Sequence, residues 1–170
     1  MPVATKVYEF DDELERLEEA IDDLAAEVTA LDASTERAKA LERRGNRLDT
    51  HRRGIEWARE EWEVDGVELG GLTAGEYGRL EDQLPDGAGD GATRVYYVAA
   101  GTVDAPYVED DHDATVAAVS QLPIAFARWA EAQINDLTSV GGETGNRFYD
   151  SLRAKQDETT STDMSGQRTS

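Results

Sequence analysis

The chain has no cysteine and only two histidines, His51 and His112, among its 170 residues. Without thiols there are no disulfides and no thiolate metal ligands, which excludes a disulfide-bonded secreted scaffold, a zinc ribbon and thiol redox chemistry. Two imidazoles leave little side-chain chemistry that titrates near neutral pH. No apolar run approaches the roughly 18 residues of a membrane span, and the opening MPVATKVYEFDDELE lacks a basic stretch followed by an apolar one. The expectation is a soluble intracellular protein with no membrane partner. Nucleophile elbow, phosphate-binding glycine loop and His-Glu-x-x-His are all missing as well. Carboxylates abound, but proximity among so many carries no information, so the sequence predicts no catalytic residue, no cofactor and no metal site.

What the chain does have is negative charge. It carries 37 Asp and Glu against 17 basic residues, a formal net charge of -20. Only Lys6, Lys39 and Lys155 are lysines, so arginine supplies nearly all the positive charge. This acidic, lysine-poor composition is similar to that of proteins from salt-loving archaea. Self-repulsion opposes folding at low salt, and a Debye length of about 3 Å at 1 M salt relieves it, which points to a high-salt host cytoplasm. The same field argues against nucleic acid as a partner, because such binding relies on neutralising phosphates with Lys and Arg.

Leu14, Leu17, Ile21, Leu24, Val28 and Leu31 alternate in steps of three and four, an apolar heptad seam that requires a partner helix. Between Glu9 and Asp32 eleven acids meet the single base Arg16, whereas Glu36 to Arg59 holds eight bases and four acids. Opposite charge on adjacent segments favours an αα-hairpin turning near Asp32 to Thr35, with Asp32 or Ser34 capping the second helix. One long helix bent at that point is the competitor, since neither Gly nor Pro marks the turn and Gly45 and Gly54 weaken the second segment. If Leu41, Leu48 and Ile55 satisfy the seam the protein can be monomeric; otherwise the seam offers a homo-oligomer interface.

Beyond Trp62, Val64-Asp65-Gly66-Val67 has the Asp-Gly signature of a short β-hairpin. Thr73-Ala74-Gly75-Glu76 is a capping box, with Leu72 and Tyr77 at the staple positions, and predicts a short helix that Pro85 stops. The run RVYYVAA at residues 94–100 is read as a buried helix ended by Gly101, despite its β-propensity. The acids of residues 109–113 fit a helix N-terminus. The best-marked helix begins at Pro123 and stops at Gly141-Gly142. Its apolar stripe comprises Phe126, Trp129, Ala130, Ile134 and Leu137. A final short helix is expected over residues 147–155.

These readings give a mainly α fold: an N-terminal coiled-coil or αα-hairpin followed by a small helical domain, with at most a short β-hairpin. The expected division is 1–62 for the heptad segment, 63–155 for the helical domain and 156–170 for a disordered tail.

Four pieces of the C-terminal part carry a family likeness: GVELGGLTAGEYGRL (66–80), RVYYVAAGTVDAP (94–106), Leu122-Pro123 opening an aromatic amphipathic helix, and INDLTSVGGETGN (134–146). With these, about half of the chain resembles the tail assembly chaperones of long-tailed viruses, especially those infecting haloarchaea. The resemblance implies a small, mostly helical, non-catalytic protein that coats the tape-measure protein, helps recruit tail-tube subunits and is absent from the finished particle. The residues expected to hold partners are Leu14, Leu17, Ile21 and Leu24 on the seam and Phe126, Trp129, Ile134 and Leu137 on the later helix. A coiled-coil structural or scaffold protein of a virion is the alternative that the seam supports.

Overall fold

In a computed structural model the described residues are 4–139, and they form six helices and three short strands. The mainly helical class expected from the sequence is what the chain adopts. Strand β1 (Thr5–Glu9) runs directly into α1 (Phe10–Thr29), whose first turn carries Asp11, Asp12 and Glu13. Negative charge there complements the free amides of the helix start and substitutes for a side-chain cap, of which Glu9 makes none.

Residues 1–62 contain the hairpin, not one bent helix. The Asp32 carboxylate accepts from the Ser34 amide at 3.1 Å and from the Ser34 hydroxyl at 3.0 Å, holding the turn without glycine. Those two bonds keep Asp32 below the usual carboxylate pKa. The cap itself falls on neither expected residue: Thr35 Oγ1 accepts from the Ala38 amide at 3.1 Å and opens α2 (Glu36–Glu61). Asp32 is occupied in building the turn that places Thr35 correctly.

Helix α2 continues through both glycines, for different reasons. A Cβ on Gly54 would lie 2.6 Å from Ala125 C and Phe126 N, so α2 and the later helix cross with backbone against side-chain-free backbone. A Cβ on Gly45 would meet nothing within 4 Å.

The sheet differs from the expected local hairpin. Asp65-Gly66 does not turn between two adjacent strands. Gly66 begins β2 (Gly66–Gly70), which pairs antiparallel with β1 through Tyr8↔Val67 and Lys6↔Leu69, and β3 (Thr102–Asp104) adds on the other side through Leu69↔Thr102. Flanks as short as Val64 and Val67 cannot form a ribbon alone, whereas β1 offers a whole strand of unpaired backbone. The order is β1-β2-β3, with Tyr8, Val67 and Leu69 facing inward.

Helix α3 (Ala74–Gln83) has the expected capping box: Thr73 Oγ1 accepts from the Glu76 amide at 3.2 Å and Glu76 accepts from the Thr73 amide at 2.8 Å. RVYYVAA lies in α4 (Asp90–Gly101), which burial of Tyr97, Val98 and Ala99 makes helical against their β-propensity. Asp111 precedes α5 (His112–Ser120), and Pro123 sits one residue before α6 (Ile124–Thr138) at its cap. The expected stop at Gly141-Gly142, the helix at 147–155 and the tail lie outside the described residues.

One buried cluster runs across residue 62. Phe10, Leu17, Ile55 and Ala58 join Val67, Leu69, Val98, Phe126, Trp129 and Ile134 in it. Aromatic rings knit its middle, with Trp62 edge-on to Phe126 at 5.0 Å and to Trp57 at 5.1 Å.

The two glycines should respond oppositely to alanine. Gly54→Ala gains about 1 kcal/mol of helix propensity but drives a methyl into the α6 backbone, an overpacking cost of about 1–3 kcal/mol, so its melting temperature falls. Gly45→Ala meets open space and should raise stability by about 1 kcal/mol. Thermal melts monitored by circular dichroism check both signs.

Candidate functional site

The helix expected to offer a client-binding stripe instead fills the interior. Phe126, Trp129, Ala130 and Ile134 are fully buried and Leu137 nearly so. Sequence periodicity identifies such a stripe but cannot say whether its complement lies in the same chain. Here the complement is α2 on one side and the sheet on the other. Seven of the eight expected partner-holding residues, all but Ile21, are buried within the chain's own core. In this conformation they are packing residues, and of the seven only Leu24 also borders one of the open clefts described below.

At the centre of that packing is a buried polar link that the sequence does not signal. Glu13 is 5% exposed, and its Oε2 accepts from Trp129 Nε1 at 3.0 Å across 116 residues of chain. The same carboxylate takes two bonds from Arg16, Nε to Oε1 at 3.2 Å and NH2 to Oε2 at 2.8 Å. Tyr8 stands edge-on to the indole at 5.4 Å. Burial, and then the negative Glu13, push the Tyr8 phenol up to about 12. A carboxylate in this setting is tolerable because a guanidinium and an indole satisfy it together. The group is structural: the carboxylate is held by the indole and the guanidinium together in the packed interior.

A cleft of about 320 Å³ opens between α3, Ala100 and His112, and α2 walls two larger ones. The first lies in the distal half of the hairpin, where Ile21, Leu24, Ala25 and Val28 of α1 face Leu41 and Gly45 of α2 across about 440 Å³. Ile21, Val28 and Leu41 are only half-buried. The missing side chain at Gly45 is what leaves the seam open there, and Glu42 and Asp49 stand at its rim.

The second cleft, of about 450 Å³, lies between α2 and α6, with Arg94 reaching in from α4. It is lined by Arg43, Arg47 and Arg128 and by the half-buried ion pair of Arg94 Nε with Glu131 Oε2 at 2.7 Å. His51 forms part of its floor. Burial, then the positive Arg47, Arg16 and Arg128, hold its imidazole down to about 4 against a smaller opposing pull from Glu13. It is therefore neutral at physiological pH.

The arginines of α2 were expected to answer the acids of α1. Among the described residues they form direct ion pairs at the hairpin's ends, through Arg37–Glu27 at 3.0 Å and Arg59–Asp11 at 3.1 Å, while Glu18 acts on Arg52 through space. Arg52 and Arg53 pair with Asp49 on their own helix, and Arg43 and Arg47 turn toward α6 instead. A charge tally by segment misses this because it ignores which face of α2 each arginine occupies. The spacing of Arg43, Arg47 and His51 at intervals of four was the available signal.

His112 Nε2 lies 3.1 Å from the Gln83 amide oxygen, and neither histidine is hydrogen-bonded to a hydroxyl or carboxylate among the described residues. No cluster of three or more His, Asp or Glu among those residues is placed to hold a metal ion. No helix among them is long and apolar enough to cross a membrane. Compared with protein-family models, with curated proteins and with solved structures, the chain finds no match.

Two measurements test this reading of the interior. Trp129→Phe keeps most of the ring volume but removes the donor to Glu13, and should cost on the order of 2 kcal/mol. Trp129→Ala adds a cavity and should cost about 3–5 kcal/mol, enough to unfold a small domain, as chemical denaturation would read. The low imidazole pKa has a definite sign. The unfolded chain takes up a proton on His51 near pH 6.5 and the folded one only near 4, so stability falls as pH drops from about 6.5 to about 4. His51→Asn should flatten that part of the pH profile relative to the parent protein.

Proposed function

We propose that this protein is a non-catalytic assembly chaperone of a long-tailed virus of haloarchaeal type, which holds the helical tape-measure protein and helps recruit tail-tube subunits in a high-salt host cytoplasm. The open groove in the distal hairpin carries the proposal. Ile21, Leu24 and Val28 keep the three- and four-residue spacing of a helix-binding face, Leu41 continues it, and Gly45 leaves room for an incoming side chain. A third helix laid there completes a small bundle without disturbing the core. Glu42 at the rim, and the acids that fill the outer faces of α1, favour an occupant helix with an apolar ridge and basic flanks.

The family likeness supports the same reading. Its pieces fall on β2 with α3, on α4 with β3, and on α6, elements whose residues Leu69, Leu80, Val98 and Trp129 share one buried cluster. The proximal hairpin joins that body through Leu17 and Ile55, and its distal seam, with Ile21 and Val28 half-buried, is left to a partner.

Co-expression with the tape-measure protein of the same genome is the test. The parent chain should co-purify with that client and keep it in solution. Gly45→Leu, which fills the groove from within, should abolish capture while leaving the melting temperature unchanged or higher. Failure of the parent chain to capture the client sinks the proposal, and capture that survives Gly45→Leu removes the groove from it. Abundance of the protein in purified virions, measured by mass spectrometry, would instead favour a scaffold component.

A further inference from the structure

The basic cleft between α2 and α6 is not needed by the chaperone reading, and it runs against the character of the whole chain. Acids outnumber bases 37 to 17, so a carboxylate is available to almost any arginine. Yet Arg43, Arg47 and Arg128 make no ion pair and no hydrogen bond among the described residues, and all three line the same cavity of about 450 Å³. The one acid there, Glu131, is already taken by Arg94 at 2.7 Å. Asn46 and Asn135 add amide groups to the wall, and His51 adds a neutral imidazole to its floor. Three like charges gathered around a concave space repel one another unless something negative enters.

We infer that this cleft is an oxyanion site that takes a small polyanion through its phosphate or carboxylate groups. Guanidinium forks match both groups in a bidentate manner, and side-chain amides donate to the remaining oxygens. The cavity suits a small molecule in volume. The surrounding negative field repels extended polyanions, so the site selects ligands small enough to be covered by the local positive patch. The inference is independent of the tape-measure reading, since the apolar groove lies against the α1 side of α2.

Isothermal titration calorimetry at fixed, moderate ionic strength tests it, with inorganic pyrophosphate and citrate as probes. One of them or both should bind in a one-to-one ratio and shift the His51 imidazole resonances in NMR spectra. Arg47→Gln and Arg128→Gln, both at exposed positions, should each weaken binding about tenfold or more, while Arg79→Gln on the distant α3 leaves it unchanged. Binding of pyrophosphate alone assigns a phosphate-bearing ligand, and binding of citrate alone a carboxylate-bearing one. The inference is overturned if neither probe binds, if binding survives both arginine substitutions, or if a single-stranded oligonucleotide binds while both small anions fail.

Discussion

The hydrogen bond from Trp129 to Glu13 ties the first helix of the chain to the last described one, and much of the architecture depends on it. A buried carboxylate is costly unless every lone pair that faces the protein is used, and removing one partner leaves an uncompensated charge. Glu13 therefore requires that Trp129 and Arg16 both be present and correctly placed. That requirement sets the rotation of α1 about its axis and, because β1 runs straight into α1, the position of Tyr8 against the indole. Tyr8 in turn stands opposite Val67, so the same link fixes the register of the sheet. Apolar packing alone would tolerate sliding of these parts, whereas a directional bond does not.

Close approach at Gly54 is the second constraint, and it acts on α6 one turn before Trp129. With the α2 and α6 backbones in contact there, Trp57, Trp62 and Phe126 meet edge-on or tilted in one aromatic cluster, and Ile55 and Ala58 are sealed from solvent. Helix α6 is thus held by a hydrogen bond that its Trp129 donates to α1 and by steric fit to α2. Its amphipathic stripe is spent entirely on that task.

Local signals were legible in the sequence because they are made by neighbouring residues. The Thr73–Glu76 capping box and the three- and four-residue spacing of the α1 leucines both rest on residues within a few positions of one another. What was not legible depends on distant pairing. Asp65-Gly66 looks like a turn until a strand from the N-terminus claims Gly66, and the stripe of Trp129 fits a core or a client-holding face equally in spacing until Glu13 is found beneath it. The same limit explains the surface. A seam of leucines shows that α1 needs a partner, but not that α2 covers only its proximal part and leaves Ile21 and Val28 half-open.

Helix α2 is the element on which the two open surfaces meet. Asn46 borders both the apolar groove and the basic cleft, so one helical turn separates an acid-rimmed face from an arginine-lined one. Uniform acidity would keep such a protein dispersed at high salt but give it no way to orient a partner, because screening erases long-range fields. Short-range contrast survives screening. The paired arrangement on α2 places apolar area, carboxylates and unpaired guanidinium groups within a few ångströms of one another, where contact geometry rather than net charge decides what binds.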